Sequence, residues 1–157
     1  MNKKIMVFGL GYVGLSNAVL LAQNNEVVGI EILEKKVEML NNKISPIVDK
    51  EISEFLETKQ LNLTAKLEDN EFAKNADFVI VSTPTNFDEE KNYFDTSSVD
   101  SVISNLAKLE SKATVVIKST IPIGYTKKVQ AKYPNLRIFF SPEFLREGQA
   151  LKDNLYP

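Results

Sequence analysis

Three glycines near the N-terminus stand at the spacing G-x-G-x-x-G, in Gly9-Leu10-Gly11-Tyr12-Val13-Gly14. In such a loop the first glycine permits a tight turn and the second removes a side chain so that backbone can approach a pyrophosphate. The third lets helix and strand pack closely. A helix opening there would offer free N–H groups and a partial positive charge to the phosphates. The spacing alone is weak, because glycines gather in many turns, so its context decides. Here the apolar run Ile5-Met6-Val7-Phe8 precedes the loop, and Val13, Ala18, Leu21 and Ala22 follow at helical spacing. Glu31, about 20 residues on, closes a second apolar run, Val27-Val28-Gly29-Ile30. A carboxylate at that place can accept from ribose hydroxyls and would repel a 2′-phosphate, which favours NAD over NADP. Lys35 and Lys36 could partly compensate such a phosphate, and a solvated strand-end charge is the plain alternative for Glu31. The residues alone leave the cofactor choice open.

Three further segments follow strand-like runs: Thr83-Pro84-Thr85, Ser119-Thr120-Ile121-Pro122 and Ser141-Pro142-Glu143. Open α/β sheets bind ligands beyond the carboxyl ends of their strands, so together these segments would form a polar wall facing a cofactor. Taken singly, each is an ordinary turn. Glu143 and Glu147 flank Phe144-Leu145-Arg146; in a helix the two carboxylates would share a face. With Arg146 between them, a surface ion network explains them as well as a site does.

The elements that must position these residues alternate between strand and helix, which predicts an α/β fold: a doubly wound, mostly parallel Rossmann-type sheet with helices on both faces. After the first two strands, a helix runs through Val37 and Leu40, and Lys50 to Thr58 reads as an extra helix. Leu61-Asn62-Leu63-Thr64 is expected as a short third strand and Asp77 to Val81 as the clearest later one. Residues 88–95 read as an exposed loop, with Ser97 or Ser98 capping a helix through Val102, Ile103 and Leu106. Thr114 to Ile117, Tyr125 to Lys132 and Arg137 to Phe140 complete the series as strand, helix and strand. No repeat or linker divides residues 1–157, so one domain is expected.

Composition narrows the chemistry. The formal charge of −2 provides no basic field for nucleic acid or an anionic membrane. With Cys 0 and His 0, the chain lacks disulfides, thiolate ligands, a cysteine nucleophile and a histidine base. No carboxylates cluster at metal-ligand spacing, and no metal is expected. Absent disulfides agree with a cytoplasmic location. The N-terminus resembles no cleavable signal, and no apolar run reaches the ~18 residues of a membrane span.

With these residues assembled, the whole chain resembles the N-terminal, NAD-binding domain of the UDP-glucose/GDP-mannose dehydrogenase family. The likeness rests on residues 9–16, Ile44-Ser45-Pro46-Ile47, Thr83-Pro84-Thr85, Asn92-Tyr93-Phe94-Asp95-Thr96, residues 118–124 and residues 140–148. It implies oxidation of the C6 alcohol of a nucleotide sugar to a carboxylate, with two NAD molecules reduced in succession. Carried over by position, Gly9, Gly11, Tyr12, Val13 and Gly14 would hold NAD, with Glu31 and Lys36 on its adenosine ribose side. Thr85 and Thr120 would line the nicotinamide side, Thr120 also helping to hold a catalytic water. Glu143, Phe144, Leu145, Arg146 and Glu147 would edge the sugar site. Glu147, which would also border the cofactor, resembles the carboxylate with acid/base and hydrolytic roles.

At position 31 the family usually has Asp; Glu keeps the charge and adds one methylene. Residues 144–148 and 92–95 look most like the branch that oxidises UDP-glucose, with UDP-N-acetylhexosamine and GDP-mannose as alternative substrates. Family members are more than twice as long. Their C-terminal part supplies a central dimerising helix, a nucleotide-sugar domain, the cysteine nucleophile and an oxyanion-stabilising lysine. The chain is therefore expected to be a truncated domain of a parent homodimer, binding NAD without completing the oxidation. A free-standing NAD-binding regulatory module is the competing expectation.

Overall fold

The computed structural model describes residues 2–90 and 93–157. Asn92, one of the residues carrying the family resemblance, lies outside them. In chain order the elements are β1 (Lys4–Phe8), α1 (Tyr12–Leu21), β2 (Glu26–Ile30), α2 (Glu34–Asn41), α3 (Lys50–Thr58), β3 (Leu63–Lys66), α4 (Asn70–Asn75) and β4 (Phe78–Val81). There follow β5 (Asn86–Asp88), β6 (Tyr93–Asp95), α5 (Ser97–Lys108), β7 (Thr114–Ile117), α6 (Tyr125–Lys132), β8 (Arg137–Phe140) and α7 (Ala150–Leu155).

Six strands form one parallel sheet in the order β3-β2-β1-β4-β7-β8, the doubly wound arrangement that the alternation of elements predicts. Its register matters more to function than its size. Phe8 pairs with both Ile30 and Val81, Val81 with Ile117, and Ile117 with Phe140. The last residues of five strands thus stand in one row, and the residues that follow them emerge along one edge.

The strands are apolar on both faces because helices cover both. On one side Met6, Val28, Val79, Val115, Ile117 and Ile138 pack against α5 and α6 through Val99, Ile103, Leu106 and Val129. On the other, Ile5, Val7, Val27 and Ile80 pack with Leu15, Ala18 and Val19 of α1, Ile52 and Leu56 of α3, and Leu151 of α7. Helix α1 is enclosed on nearly all sides, lying between the sheet and α7, and its consecutive residues 14–19 are all buried.

The third strand begins two residues later than the apolar pattern suggests, at Leu63. Helix α4 has no counterpart in the sequence pattern; Asp69 caps it by accepting from the Phe72 N–H at 2.9 Å. Residues 86–88 and 93–95 form an antiparallel ribbon rather than a plain loop, with the Phe87 and Phe94 rings 4.8 Å apart. Neither Ser97 nor Ser98 caps α5: the cap residue is Thr96, and the Asp95 carboxylate accepts from the Ser97 N–H at 2.9 Å. Residues 143–147 are not helical, so Glu143 and Glu147 share no helix face.

Candidate functional site

The glycine loop leaves β1 in the middle of the sheet, and each glycine meets a different constraint. Gly9 adopts φ +83°, a left-handed conformation that favours glycine, and its N–H donates to the Ile30 carbonyl at 3.0 Å. A β-carbon on Gly14 would lie 1.8 Å from the Gly9 carbonyl oxygen, so that position is closed to any side chain. Gly11 is the reverse case. It caps α1 with φ −75°, and a β-carbon there would have no neighbour within 4 Å. The space beside it is open, at the end of a helix with no side-chain cap and no acidic residue in its first turn. Exposed backbone at an uncapped helix N-terminus is the arrangement that receives a diphosphate. The residues present therefore fit the pyrophosphate of a dinucleotide.

Next to this loop, Glu31 follows β2. Its carboxylate is buried; Oε1 accepts from the N–H groups of Ile32 and Leu33 at 2.9 and 3.2 Å. Oε2 lies 3.9 Å from Lys36 Nζ, so Lys36 stands beside the carboxylate. Glu31 is thus no solvated strand-end charge. It is a fixed acceptor with one oxygen committed to backbone and the other facing a cation.

On the opposite side of the loop, three serine hydroxyls hold the segment after β4. Ser82 Oγ lies 3.0 Å from the carbonyls of both Phe8 and Gly9. Ser119 Oγ, beyond β7, donates to the Thr83 carbonyl at 2.7 Å, and Ser98 Oγ, on α5, donates to the Pro84 carbonyl at 2.7 Å. These bonds fix residues 82–84 without using charge. Lys118 extends the wall to the next strand, its Nζ 3.3 Å from both the carbonyl and the hydroxyl of Ser141. The three Ser/Thr/Pro segments therefore do form one polar wall. Thr85 is half-buried and Thr120 exposed on it.

Residues 141–149 carry the chain from edge strand β8 back to α7, which packs on α1. Glu143 Oε2 accepts from the Leu145 N–H at 2.7 Å. Phe144 is 95% exposed, and Arg146 and Glu147 are also exposed. Arg146 does not pair with Glu143 or Glu147. It pairs with Asp153 of α7, whose Oδ1 lies 2.6 Å from Nη2. That replaces the expected ion network with a partner seven residues away. No local spacing announces Asp153, and the bracing role of Ser82 and Ser98 is equally silent in the sequence, since both depend on chain segments far apart.

The profile of the UDP-glucose/GDP-mannose dehydrogenase family, NAD binding domain, matches residues 3–157. The chain belongs to this family. As its NAD-binding domain it is 53% identical over 154 residues to UDP-glucose 6-dehydrogenase of Streptococcus pneumoniae, the match covering 98% of this chain and 39% of that protein. It is 48% identical over 158 residues to UDP-glucose 6-dehydrogenase of Campylobacter jejuni, covering 98% and 40%. Among solved structures, a UDP-glucose dehydrogenase from the archaeon Pyrobaculum islandicum superposes with a TM-score of 0.83 at 26% identity, covering 100% of this chain and 39% of the other. The NAD-binding domain thus spans about two fifths of these relatives. Among the described residues no helix is long and apolar enough to cross a membrane, and no group of His, Cys, Asp and Glu is placed to hold a metal ion.

Proposed function

We propose that this NAD-binding domain is the cofactor half of a UDP-glucose 6-dehydrogenase, which oxidises UDP-glucose to UDP-glucuronate with two equivalents of NAD. The observation that carries the reading is Gly11: an open position at the uncapped N-terminus of α1, between the fixed carboxylate of Glu31 and the braced segment 82–84. High identity to two UDP-glucose 6-dehydrogenases favours UDP-glucose over UDP-N-acetylhexosamines or GDP-mannose.

NAD, when bound, supplies the acceptor for the electron pairs removed from the alcohol carbon. The chain's own residues bind and orient. Backbone at Gly9, Gly11, Tyr12, Val13 and Gly14 receives the diphosphate, aided by the partial positive charge of the α1 N-terminus. Glu31 accepts from the adenosine ribose, and Lys36 holds that carboxylate in place. Thr85 and Thr120 border the nicotinamide side, where the Thr120 hydroxyl can hold a water. Glu143, Phe144, Leu145 and Glu147 edge the sugar, with Glu147 the carboxylate to take and return protons, near the cofactor as well as the substrate. The remaining machinery, including a nucleophile that a chain with Cys 0 cannot provide, belongs to the remainder of a longer, homodimeric cytoplasmic parent.

The chain by itself therefore binds NAD without completing the oxidation, because the positioning and water exclusion of a closed site are missing. Calorimetric titration with NAD, followed by incubation with UDP-glucose and NAD at 340 nm, tests both halves of this reading. Saturable NAD binding without turnover is expected; sustained NADH formation would refute the division of labour.

A further inference from the structure

Arg146 makes three donor contacts to one acceptor. Its backbone N–H lies 2.9 Å and its Nε 3.1 Å from Asp153 Oδ2, and its Nη2 lies 2.6 Å from Oδ1. A forked guanidinium–carboxylate pair reinforced by a main-chain bond fixes both the side chain and the backbone that carries it. Asp153 is itself anchored. Ala150 and Leu151, one turn earlier, are fully buried. The adjacent Asn154 Nδ2 donates to Ser16 Oγ at 3.0 Å, and Ser16 Oγ donates to the Val13 carbonyl at 3.0 Å. A continuous set of bonds thus runs from the first turn of α1, beside the glycine loop, through α7 to Arg146 and so to its neighbour Glu147. The carboxylate of Asp153 is held down to about 2, first by the Arg146 side chain and then by its backbone N–H.

We infer that Arg146 and Asp153 form a clasp that sets the position of Glu147 relative to the glycine loop. Asp153 is a positioning residue, and Arg146 directs its fork to Asp153 rather than to the nucleotide sugar. The inference rests on the reading above for the importance of Glu147, and it removes Arg146 from the substrate-contacting residues which the family resemblance implies.

The test uses the 157-residue chain, ¹⁵N-labelled, with amide exchange, the Arg146 Nε–H resonance and NAD calorimetry recorded on the same samples. In the wild type, the Nε–H held by Asp153 is expected as a separate, slowly exchanging signal that UDP-glucose does not shift. Asp153→Asn should abolish that signal and speed exchange of the Arg146 amide at least tenfold, with α1 protection and NAD affinity within twofold of wild type. Asp153→Glu, which restores the carboxylate, should recover the signal. An unchanged Arg146 amide in Asp153→Asn would overturn the clasp, as would a shift of the Nε–H signal on adding UDP-glucose. Loss of protection spread equally over α1 would also overturn it, by making Asp153 a general stability residue. Failure of the wild type to bind NAD would instead defeat the functional reading and leave the clasp result standing.

Discussion

The α-carbon of Gly14 faces the carbonyl oxygen of Gly9 so closely that a β-carbon would sit 1.8 Å from it, whereas Gly11, between them, has empty space on its side-chain face. Two glycines of one motif therefore do opposite work. Gly14→Ala should force α1 off the loop and cost about 3 kcal/mol or more, beyond ordinary overpacking because the obstructing atom is backbone. Gly11→Ala should cost about 1 kcal/mol or less, since alanine caps a helix somewhat worse than glycine. NAD affinity should fall at least tenfold in Gly11→Ala, as the methyl occupies the approach to the phosphates. Chemical denaturation and NAD calorimetry on both variants check the separation.

Glu31 should govern cofactor choice through Oε2, because Oε1 is already bonded to the N–H groups of Ile32 and Leu33. Glu31→Ala should weaken NAD binding and bring NAD and NADP closer in affinity by removing the charge that repels a 2′-phosphate. Lys36→Ala should leave the preference for NAD intact or sharpen it, since Lys36 is the nearby cation able to offset such a phosphate. Parallel titrations with the two cofactors decide the matter. Equal affinities in the wild type would refute Glu31 as the selector.

How far the sequence foretold these features depends on the range of the interactions. The strand runs at Ile5-Met6-Val7-Phe8 and Thr114-Val115-Val116-Ile117 are legible because burial on both faces demands continuous apolar residues. The helix over Lys50–Thr58 is legible for its amphipathic period. Glu31 could be placed by its distance from the glycines, but its bonds to Ile32 and Leu33 could not. Helix α4 escaped because six residues give too little period, and the ribbon of residues 86–88 and 93–95 because its stabilising pair, Phe87 and Phe94, meets across the two strands. Residues 143–147 depart most from their pattern: spacing alone makes Glu143 and Glu147 a helical pair, while Arg146 turns to Asp153 on a stretch that is not helical.

The acid limb of stability should follow depressed carboxylates. Asp153 lies at about 2, and Asp69, Asp77 and Asp95 also lie below the ordinary value of 3.8. The causes are hydrogen bonds from Arg146 to Asp153, from Lys66 and then Phe72 to Asp69, chiefly from the Lys4 N–H to Asp77, and from Ser97 to Asp95. A folded value below the unfolded one means that the unfolded chain binds more protons, so stability falls as pH falls. These contributions should be complete above the ordinary carboxylate value and disappear progressively below it. Asp153 should be the last to protonate, which ¹³C-carboxyl titration can follow directly, with Asp153→Asn removing the lowest step.

The alkaline limb should belong to Tyr125. Its hydroxyl donates to Asp100 Oδ1 at 2.8 Å, and Thr96 Oγ1 donates to the other carboxylate oxygen at 3.0 Å, joining the starts of α5 and α6. Burial first, and then this bond to an acceptor, push the Tyr125 phenol well above its ordinary 10.0. Here the folded chain keeps a proton that the unfolded chain releases, so stability is complete below pH 10 and declines as pH rises beyond it. Tyr125→Phe should lose about 1 kcal/mol at neutral pH for the missing hydrogen bond, with Asp100 still exposed enough to turn to water. The same variant should show a shallower decline above pH 10, so that the two denaturation curves converge. Curves that stay parallel from pH 8 to 11 would exclude Tyr125 as the group responsible.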